Sequence, residues 1–162
     1  MTVAAPRRVE SPRSGTAYEA DLAAWSLEQA AHLRAGTWDR LDLAHLADEI
    51  EALSRTEHHA LTSALRVILL HLLKWDHQPQ RRTCGWATSI KTQRLSVAER
   101  IEDSPSLVPL LPQFLARAYR RARIEAAGET GLDESVFPAA CPYPYEAIMT
   151  RAIAWPPEPE VS

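Results

Sequence analysis

Residues 71–86, HLLKWDHQPQRRTCGW, hold side chains that can bind a metal or act as a nucleophile: two histidines, an aspartate and a cysteine. Imidazole, carboxylate and thiolate are ligands of zinc and related metals. His71 and His77 are six residues apart, so on a helix their side chains point about 240° apart. Pro79 ends that helix soon afterwards, because proline has no N–H for the helical ladder. The stretch therefore forms no local metal motif.

A metal site could still form from side chains on different segments. Its candidates are six residues: His45, Glu49, Glu57, His58, His71 and His77. Di-metal sites of helical bundles usually use Glu-x-x-His, a spacing that this chain lacks. Residues 42–57 are also strongly acidic, which is typical of a solvated face near a helix N-terminus. We favour the solvated face and predict no cofactor.

Glu57 occupies an unusual place in the pattern of the second predicted helix. It follows Leu43, Leu46, Ile50 and Leu53 at helical spacing, so it is predicted to share their buried face. A buried carboxylate without a partner is costly. We expect Glu57 to pair with an arginine of the fourth helix or with a backbone N–H, in a structural rather than a catalytic role.

The chain has none of the common motifs of a nucleophilic or phosphate-binding site. There is no G-x-S-x-G, no phosphate loop and no CxxC. Cys84, beside Gly85 at a predicted helix N-terminus, is in a setting that can lower a thiol pKa. We favour the simpler interpretation, in which Cys84 only occupies a helix cap. Enzymatic activity is therefore left open.

The region from residue 74 to residue 100 is basic, with six lysines and arginines against two carboxylates. Its candidates for binding a partner are Arg81, Arg82, Trp86, Lys91 and Arg94. Arginine binds both carboxylates and phosphates well. The whole chain carries a net charge of −3, which favours a protein partner, or pairing with the acidic second helix, over nucleic acid. Four further arginines at 117, 120, 121 and 123 are expected mostly on the solvated side of the fourth helix.

The composition predicts one soluble domain. The 162 residues are 46% hydrophobic. No apolar run approaches the roughly 18 residues that a membrane span needs. Two distant cysteines imply no disulfide framework, so we predict a cytoplasmic protein. We predict a disordered arm at residues 1–16, the folded domain at residues 17–155, and a disordered Pro-rich tail at residues 156–162.

Hydrophobic periodicity of about 3.6 residues predicts helices throughout the domain. They are expected at 17–35, at 42–75 with a bend or break near 53–59, from 83–85 to the EDSPS segment, from between Pro109 and Pro112 to 127, and at 145–154, with a helical turn at 133–136. Gly36 and Pro79 are the stop signals of the first two.

Several short motifs, in this order, carry a family resemblance: LLHLLKW, QPQRR, EDSPSL and FPAACPY. With them, the region from about Tyr18 to Ile148 resembles the bacterial family called domain of unknown function 29. The resemblance implies a helical fold and a source among cyanobacteria or other bacteria. It implies no established activity and no catalytic residues.

We therefore predict an all-α, single-domain bundle of about five to six helices with disordered termini. The preferred function is a protein–protein interaction or regulatory module, with self-association through a helix face as an extension. One alternative is a metal-binding bundle or metal-dependent enzyme. Another is a weak nucleic-acid binder acting through Arg81 and Arg82.

Overall fold

The computed structural model describes residues 15–155, and over this range the protein is an all-α bundle, as predicted. The α-helices are Leu22–Ala35 (α1), Leu43–His77 (α2), Cys84–Asp103 (α3), Leu111–Thr130 (α4) and Tyr145–Thr150 (α5). Short 3-10 helices connect them, and no strand occurs between Gly15 and Trp155. The predicted Pro-rich tail, and the predicted arm up to residue 14, lie outside the described residues.

Helix α2 is continuous for 35 residues, so the chain does not break near residues 53–59, where a bend or break was predicted. The segment contains neither proline nor glycine, and hydroxyl side chains alone do not interrupt the ladder. The Thr62 hydroxyl, for example, donates to the carbonyl oxygen of His58 at 2.7 Å, within the helix itself. Asp42 caps the N-terminus, because its side chain accepts a hydrogen bond from the His45 backbone N–H.

Helix α1 begins later in the chain than the periodicity predicted, at Leu22 instead of Ala17. Asp21 has an extended backbone, and its side chain accepts the Ala24 N–H at 2.9 Å, which makes it the N-cap. The other end is as predicted, since Gly36 adopts the left-handed conformation with φ of 69°. Thr16, assigned to the arm, donates its backbone N–H to the Glu28 carboxylate at 2.8 Å.

The last two helices differ in length from their predictions. Helix α4 begins between Pro109 and Pro112 as expected, but it continues to Thr130, beyond the predicted end at residue 127. Helix α5 ends at Thr150 rather than at residue 154, because the backbone of Arg151 leaves the helical conformation, with ψ of 129°. Arg151 leaves the helix to bind Asp76.

Glycine substitutions at the end of α4 should have opposite effects at two nearby positions. Gly131 has φ of 72°, a conformation in which a Cβ is strained. Gly131→Ala should therefore lower the free energy of unfolding by about 1 kcal/mol. At Gly128, inside the helix, an added Cβ would meet open space. Gly128→Ala should raise the free energy of unfolding by about 0.5–1 kcal/mol.

Urea unfolding followed by circular dichroism measures both glycine variants, each of which serves as the control for the other. Equal shifts of the same sign would contradict the assignment of Gly131 as the helix cap.

The described chain divides into two compact units, one up to Ser54 and one from Arg55 onwards, with the boundary inside α2. The first unit packs around Trp25 and Gln29, its buried residues. The Tyr18 ring meets the Trp25 ring edge-on, with centroids 5.0 Å apart, and stacks on the His45 ring at 4.1 Å. Its core is therefore small and largely aromatic.

The second unit has the large aliphatic core. Its largest fully buried side chains are Leu61, Leu65, Ile68, Leu69, Leu72, Leu73, Ile90, Val97, Phe137 and Ile148. Most come from the C-terminal half of α2, which is consistent with its near-continuous apolar sequence. In the part of the chain that the structure describes, no helix is both long and apolar enough to cross a membrane.

Contacts along α2 show how its neighbours run in the second unit. Helix α4 is parallel to it, because His58 contacts Phe114 near one end and Lys74 binds Glu129 near the other. Helix α3 is antiparallel to α2. Glu57 binds Arg100 at one end of that pair, and the rings of His71 and Trp86 lie 6.4 Å apart at the other end.

Candidate functional site

Arg82 and Arg94, two of the five residues predicted to bind a partner, instead contact other groups of the fold. Arg82 donates from Nε to the Trp75 carbonyl oxygen at 2.9 Å, and its guanidinium lies over the Trp75 ring at 4.9 Å. Arg94 donates to the backbone oxygens of Ile148 and Arg151 at 2.7 and 2.8 Å. These arginines hold the ends of α2 and α5 in place, and among residues 15–155 neither pairs with a carboxylate.

The other three candidates divide between packing and exposure. Trp86 is half-buried, and the Lys74 ammonium lies 4.4 Å from its ring centroid. Arg81 and Lys91 are exposed, Arg81 in a 3-10 turn and Lys91 on α3. The five side chains therefore do not form one concave site, and Arg81 and Lys91 are the two that are open to a partner.

Glu57 has an arginine partner, but from a different helix than expected. Arg100 of α3 donates from Nη1 to Glu57 Oε2 at 2.7 Å, so the predicted partner on the fourth helix is wrong. Because α3 runs antiparallel to α2, its last turn lies beside Glu57. The side chains of Glu57 and Arg100 are 46% and 34% exposed, so the pair lies at the edge of the unit rather than in its core. Its contribution to stability is correspondingly small.

His45 and Glu49, the first two metal candidates, are both bound to neighbours in the first unit. His45 Nδ1 lies 2.6 Å from the Asp42 carboxylate, and this hydrogen bond raises the pKa of His45. Burial raises the pKa of Asp42, but its hydrogen bonds with His45 outweigh that effect and lower it overall. The Tyr18 hydroxyl donates to Glu49 Oε1 at 2.5 Å. Tyr18 therefore contacts both residues, because its ring stacks on the His45 ring and its hydroxyl binds the Glu49 carboxylate.

The remaining histidine candidates pack against aromatic rings at separate places. The His58 ring contacts Phe114, and the His77 ring contacts Phe137 with centroids 4.7 Å apart. His77 Nδ1 also bonds to the Leu73 carbonyl oxygen at 2.8 Å. Burial, together with the nearby Lys74, lowers the pKa of His71. Among residues 15–155, no group of three His, Cys, Asp or Glu side chains is placed to hold a metal ion.

The surface that sequence reasoning missed is the first third of α2. Leu43, Ile50 and Leu53 are 65–68% exposed, and Leu46 is half-buried. We call these four residues the apolar stripe. The prediction that they form a buried face is wrong, because the small core of the first unit leaves that face of the helix uncovered. Their spacing of three, four and three residues is that of a coiled-coil seam, and this was the signal available in the sequence.

Further apolar side chains of the first unit are exposed. They are Leu22, Leu27, Leu33 and Trp38, in α1 and the turn after it. Seven of the twelve exposed large apolar residues in the described chain thus fall between residues 22 and 53. Scattered exposed leucines are ordinary, but such a concentration in one segment is typical of an interaction surface.

Few charges lie alongside the apolar stripe. Leu43 and Ile50 are seven residues apart, so they occupy the same seam position in successive heptads. The positions directly beside the seam, from residue 43 to residue 54, are then Ala47, Glu49 and Ser54. Only Glu49 is charged, and it already accepts a hydrogen bond from Tyr18. A second helix could approach this face without strong charge repulsion.

Comparison with known proteins gives a family but no relative of known activity. The family described as Domain of unknown function DUF29 matches residues 17–153, which is most of the chain. No curated protein and no solved structure matches it. The match includes α1, the apolar stripe and all of the second unit's core, so the chain belongs to the DUF29 family.

Proposed function

We propose that this protein is a helical interaction module that associates with a second copy of itself through the apolar stripe. The observation that carries the proposal is the exposure of Leu43, Ile50 and Leu53 at coiled-coil spacing on a regular helix. A regular helix keeps such a row of side chains aligned along one face, as a partner helix requires. Leucine and isoleucine are the residues preferred at the seam.

The energetics favour burial of this surface. Removing apolar surface from water contributes about 25 cal/mol per Å², or about 1.5–3 kcal/mol for each fully buried leucine or isoleucine. The described chain leaves this contribution unused at Leu43, Ile50 and Leu53. The low charge beside the apolar stripe adds no large electrostatic penalty to association.

A second copy is the partner that requires the fewest assumptions. In a twofold dimer the same patch meets itself, so a surface must be self-complementary to associate in this way. An apolar seam flanked mainly by alanine and serine meets that requirement, whereas a seam flanked by one sign of charge would not. Leu22, Leu33 and Trp38 would extend the contact if the copies pack beyond α2.

The alternatives have weaker support. A metal-dependent function needs at least three converging ligands. His45 and Glu49 both contact Tyr18, and the other four metal candidates have neighbours at separate places. A nucleic-acid function through Arg81 and Arg82 would depend mainly on Arg81 and Lys91, since Arg82 and Arg94 hold backbone oxygens. Both of the chain's cysteines are free thiols, which fits the proposed cytoplasmic location.

The test is the molar mass of the protein as a function of concentration, by light scattering and sedimentation equilibrium. We expect a concentration-dependent dimer. Leu43→Gln with Ile50→Gln should weaken the association about 10,000-fold, since a twofold dimer of the variant loses two apolar side chains from each copy and each contributes a factor of about ten. The expected helix content of this variant is unchanged, because both side chains are exposed.

Leu95→Gln is the matched control. Leu95 is 64% exposed on α3, so the same loss of an apolar side chain there should leave the association constant unchanged. A monomer at high concentration would overturn the proposal. An equal loss of association in the Leu95 variant would place the interface elsewhere.

A further inference from the structure

A groove lies between two helices of the second unit. It has a volume of about 910 Å³. Residues 55–66 of α2 form one wall and residues 117–125 of α4 the other. On both walls the lining residues recur at three- and four-residue intervals, so each helix presents a single face to the groove. We call it the α2–α4 groove.

Its charge is almost entirely positive. The lining includes five arginines, namely Arg55, Arg66, Arg117, Arg120 and Arg121. The one carboxylate among the lining residues, Glu125, is bound by Arg66 across the groove. His58 and His59 line the groove as well and add ring nitrogens that can donate.

The arginines of α4 fall into two groups. Arg123 donates to the backbone oxygens of Phe137 and Glu134, and it pairs with the Glu134 carboxylate at 3.0 Å, so its role is structural. Arg117, Arg120 and Arg121 are exposed, and within residues 15–155 their guanidiniums have no hydrogen bond or ion pair. Structural needs of the fold therefore explain Arg123 but not the other three.

Keeping these charges together has an energetic cost. Arg117 lies three residues before Arg120 and four before Arg121, so the side chains are neighbours on the helix surface. Like charges at these spacings are destabilising. An anion bound in the α2–α4 groove would reverse the sign of this interaction. A cluster that destabilises the free protein and suits an anion is typical of a binding site.

The size and lining of the α2–α4 groove indicate which anion. Small-molecule sites usually have volumes of roughly 300 to 1000 Å³. The groove falls within that range. Its described lining contains no tryptophan, tyrosine or phenylalanine, so it lacks the usual platform for base stacking by single-stranded nucleic acid. Ile124 is the one large apolar residue in that lining, which gives little for the side chains of an acidic peptide to contact.

Several guanidiniums in so small a volume match a compact ligand with closely spaced negative charges. Linked phosphate groups have a higher charge density than carboxylates spaced along a peptide. The planar guanidinium also binds phosphate oxygens through two parallel hydrogen bonds. We propose that the α2–α4 groove binds a small molecule bearing a chain of phosphate groups, with Arg117, Arg120 and Arg121 as its main ligands.

The experiment is calorimetric titration of the full chain with inorganic tripolyphosphate and with adenosine triphosphate at low ionic strength. We expect saturable binding, and an increase in melting temperature with ligand concentration. Equal affinities would identify the phosphate chain alone as the ligand. A much tighter nucleotide would identify a nucleoside polyphosphate as the source of that chain.

Arg117→Gln with Arg121→Gln should weaken binding about tenfold or more, because two charge-assisted contacts are lost. Without ligand this variant should be at least as stable as the parent, since like-charge repulsion is removed, and this separates loss of binding from loss of fold. Arg81→Gln with Lys91→Gln removes the same charge outside the groove and should leave the affinity nearly unchanged.

Three results would overturn the proposal. The first is the absence of saturable binding of either phosphate compound at low ionic strength. The second is an equal loss of affinity in the control variant, which would mean that overall charge, and not the groove, is recognised. The third is equally tight binding of a glutamate oligomer of the same charge, which would identify an acidic peptide as the ligand.

Discussion

Phe137→Ala should lower the free energy of unfolding by about 3–5 kcal/mol, the range for removal of a buried aromatic ring. Phe137 is 1% exposed, and its ring packs on His77 at the end of α2. Its backbone oxygen accepts a hydrogen bond from Arg123 Nε at 3.1 Å. The residue thus joins the segment after α4 to the core of the second unit. Alanine keeps the backbone oxygen that Arg123 binds, so the expected loss comes from the packing of the ring.

Urea unfolding followed by tryptophan fluorescence measures the effect. Val136→Ala is the control, because Val136 precedes Phe137 in sequence but is 48% exposed. We expect its effect to stay within about 0.5 kcal/mol, as for most surface substitutions. A loss below about 1 kcal/mol in the Phe137 variant would mean that the ring is not part of the core.

Asp76→Asn should lower the free energy of unfolding by about 2 kcal/mol near neutral pH, because it removes charge-assisted hydrogen bonds. The Asp76 carboxylate accepts two hydrogen bonds from Arg151, at 2.6 and 2.8 Å, and one from the Tyr143 hydroxyl at 2.8 Å. Hydrogen bonds to a charged group contribute about 1.5–3 kcal/mol each when buried, and partial exposure reduces that value. The pair of Asp76 and Arg151 is partly exposed. Glu99→Gln, the same chemical change at an exposed position on α3, should have almost no effect.

The same substitution should change how stability depends on pH. Burial raises the pKa of Asp76, but hydrogen bonds from Arg151 and Tyr143 outweigh it and hold the pKa below its ordinary value. The folded state therefore binds this proton less readily than the unfolded chain, and the stabilisation is complete above the unfolded pKa of about 3.9. As the pH falls below that value, the difference between parent and Asp76→Asn should shrink. A constant difference from neutral pH down to pH 3 would contradict the ion pair.

The helices of the second unit could be predicted well from the sequence because apolar residues are closely spaced along them. Helix α3 begins at Cys84 with Thr83 as its cap, and the start of α4 between two prolines followed from the missing N–H of proline. The length of α5 could not be read in the same way. Asp76, which is far from Arg151 in sequence, binds it at the point where the helix ends, and periodicity carries no information about such a contact.

The first unit was predicted less well, and the reason is physical. A stripe with the spacing of Leu43, Leu46, Ile50 and Leu53 has the same pattern whether it faces a core or open solvent. Hydrophobic periodicity therefore predicted the helix, but it did not predict which face of the helix is buried. The α2–α4 groove was missed because its arginines come from two segments that are distant in sequence, and only the parallel packing of α2 and α4 brings them together.

The surroundings of Lys74 have a practical consequence for labelling the protein. The chain contains two lysines, Lys74 and Lys91. Lys74 is 7% exposed, with its ammonium held between the Trp86 ring and the Glu129 carboxylate, whereas Lys91 is exposed. An amine-selective reagent needs an accessible nitrogen, and this packing shields the nitrogen of Lys74. Lys91 is thus a single natural attachment point for a fluorophore or cross-linker among the lysine side chains, and it belongs to neither the apolar stripe nor the α2–α4 groove.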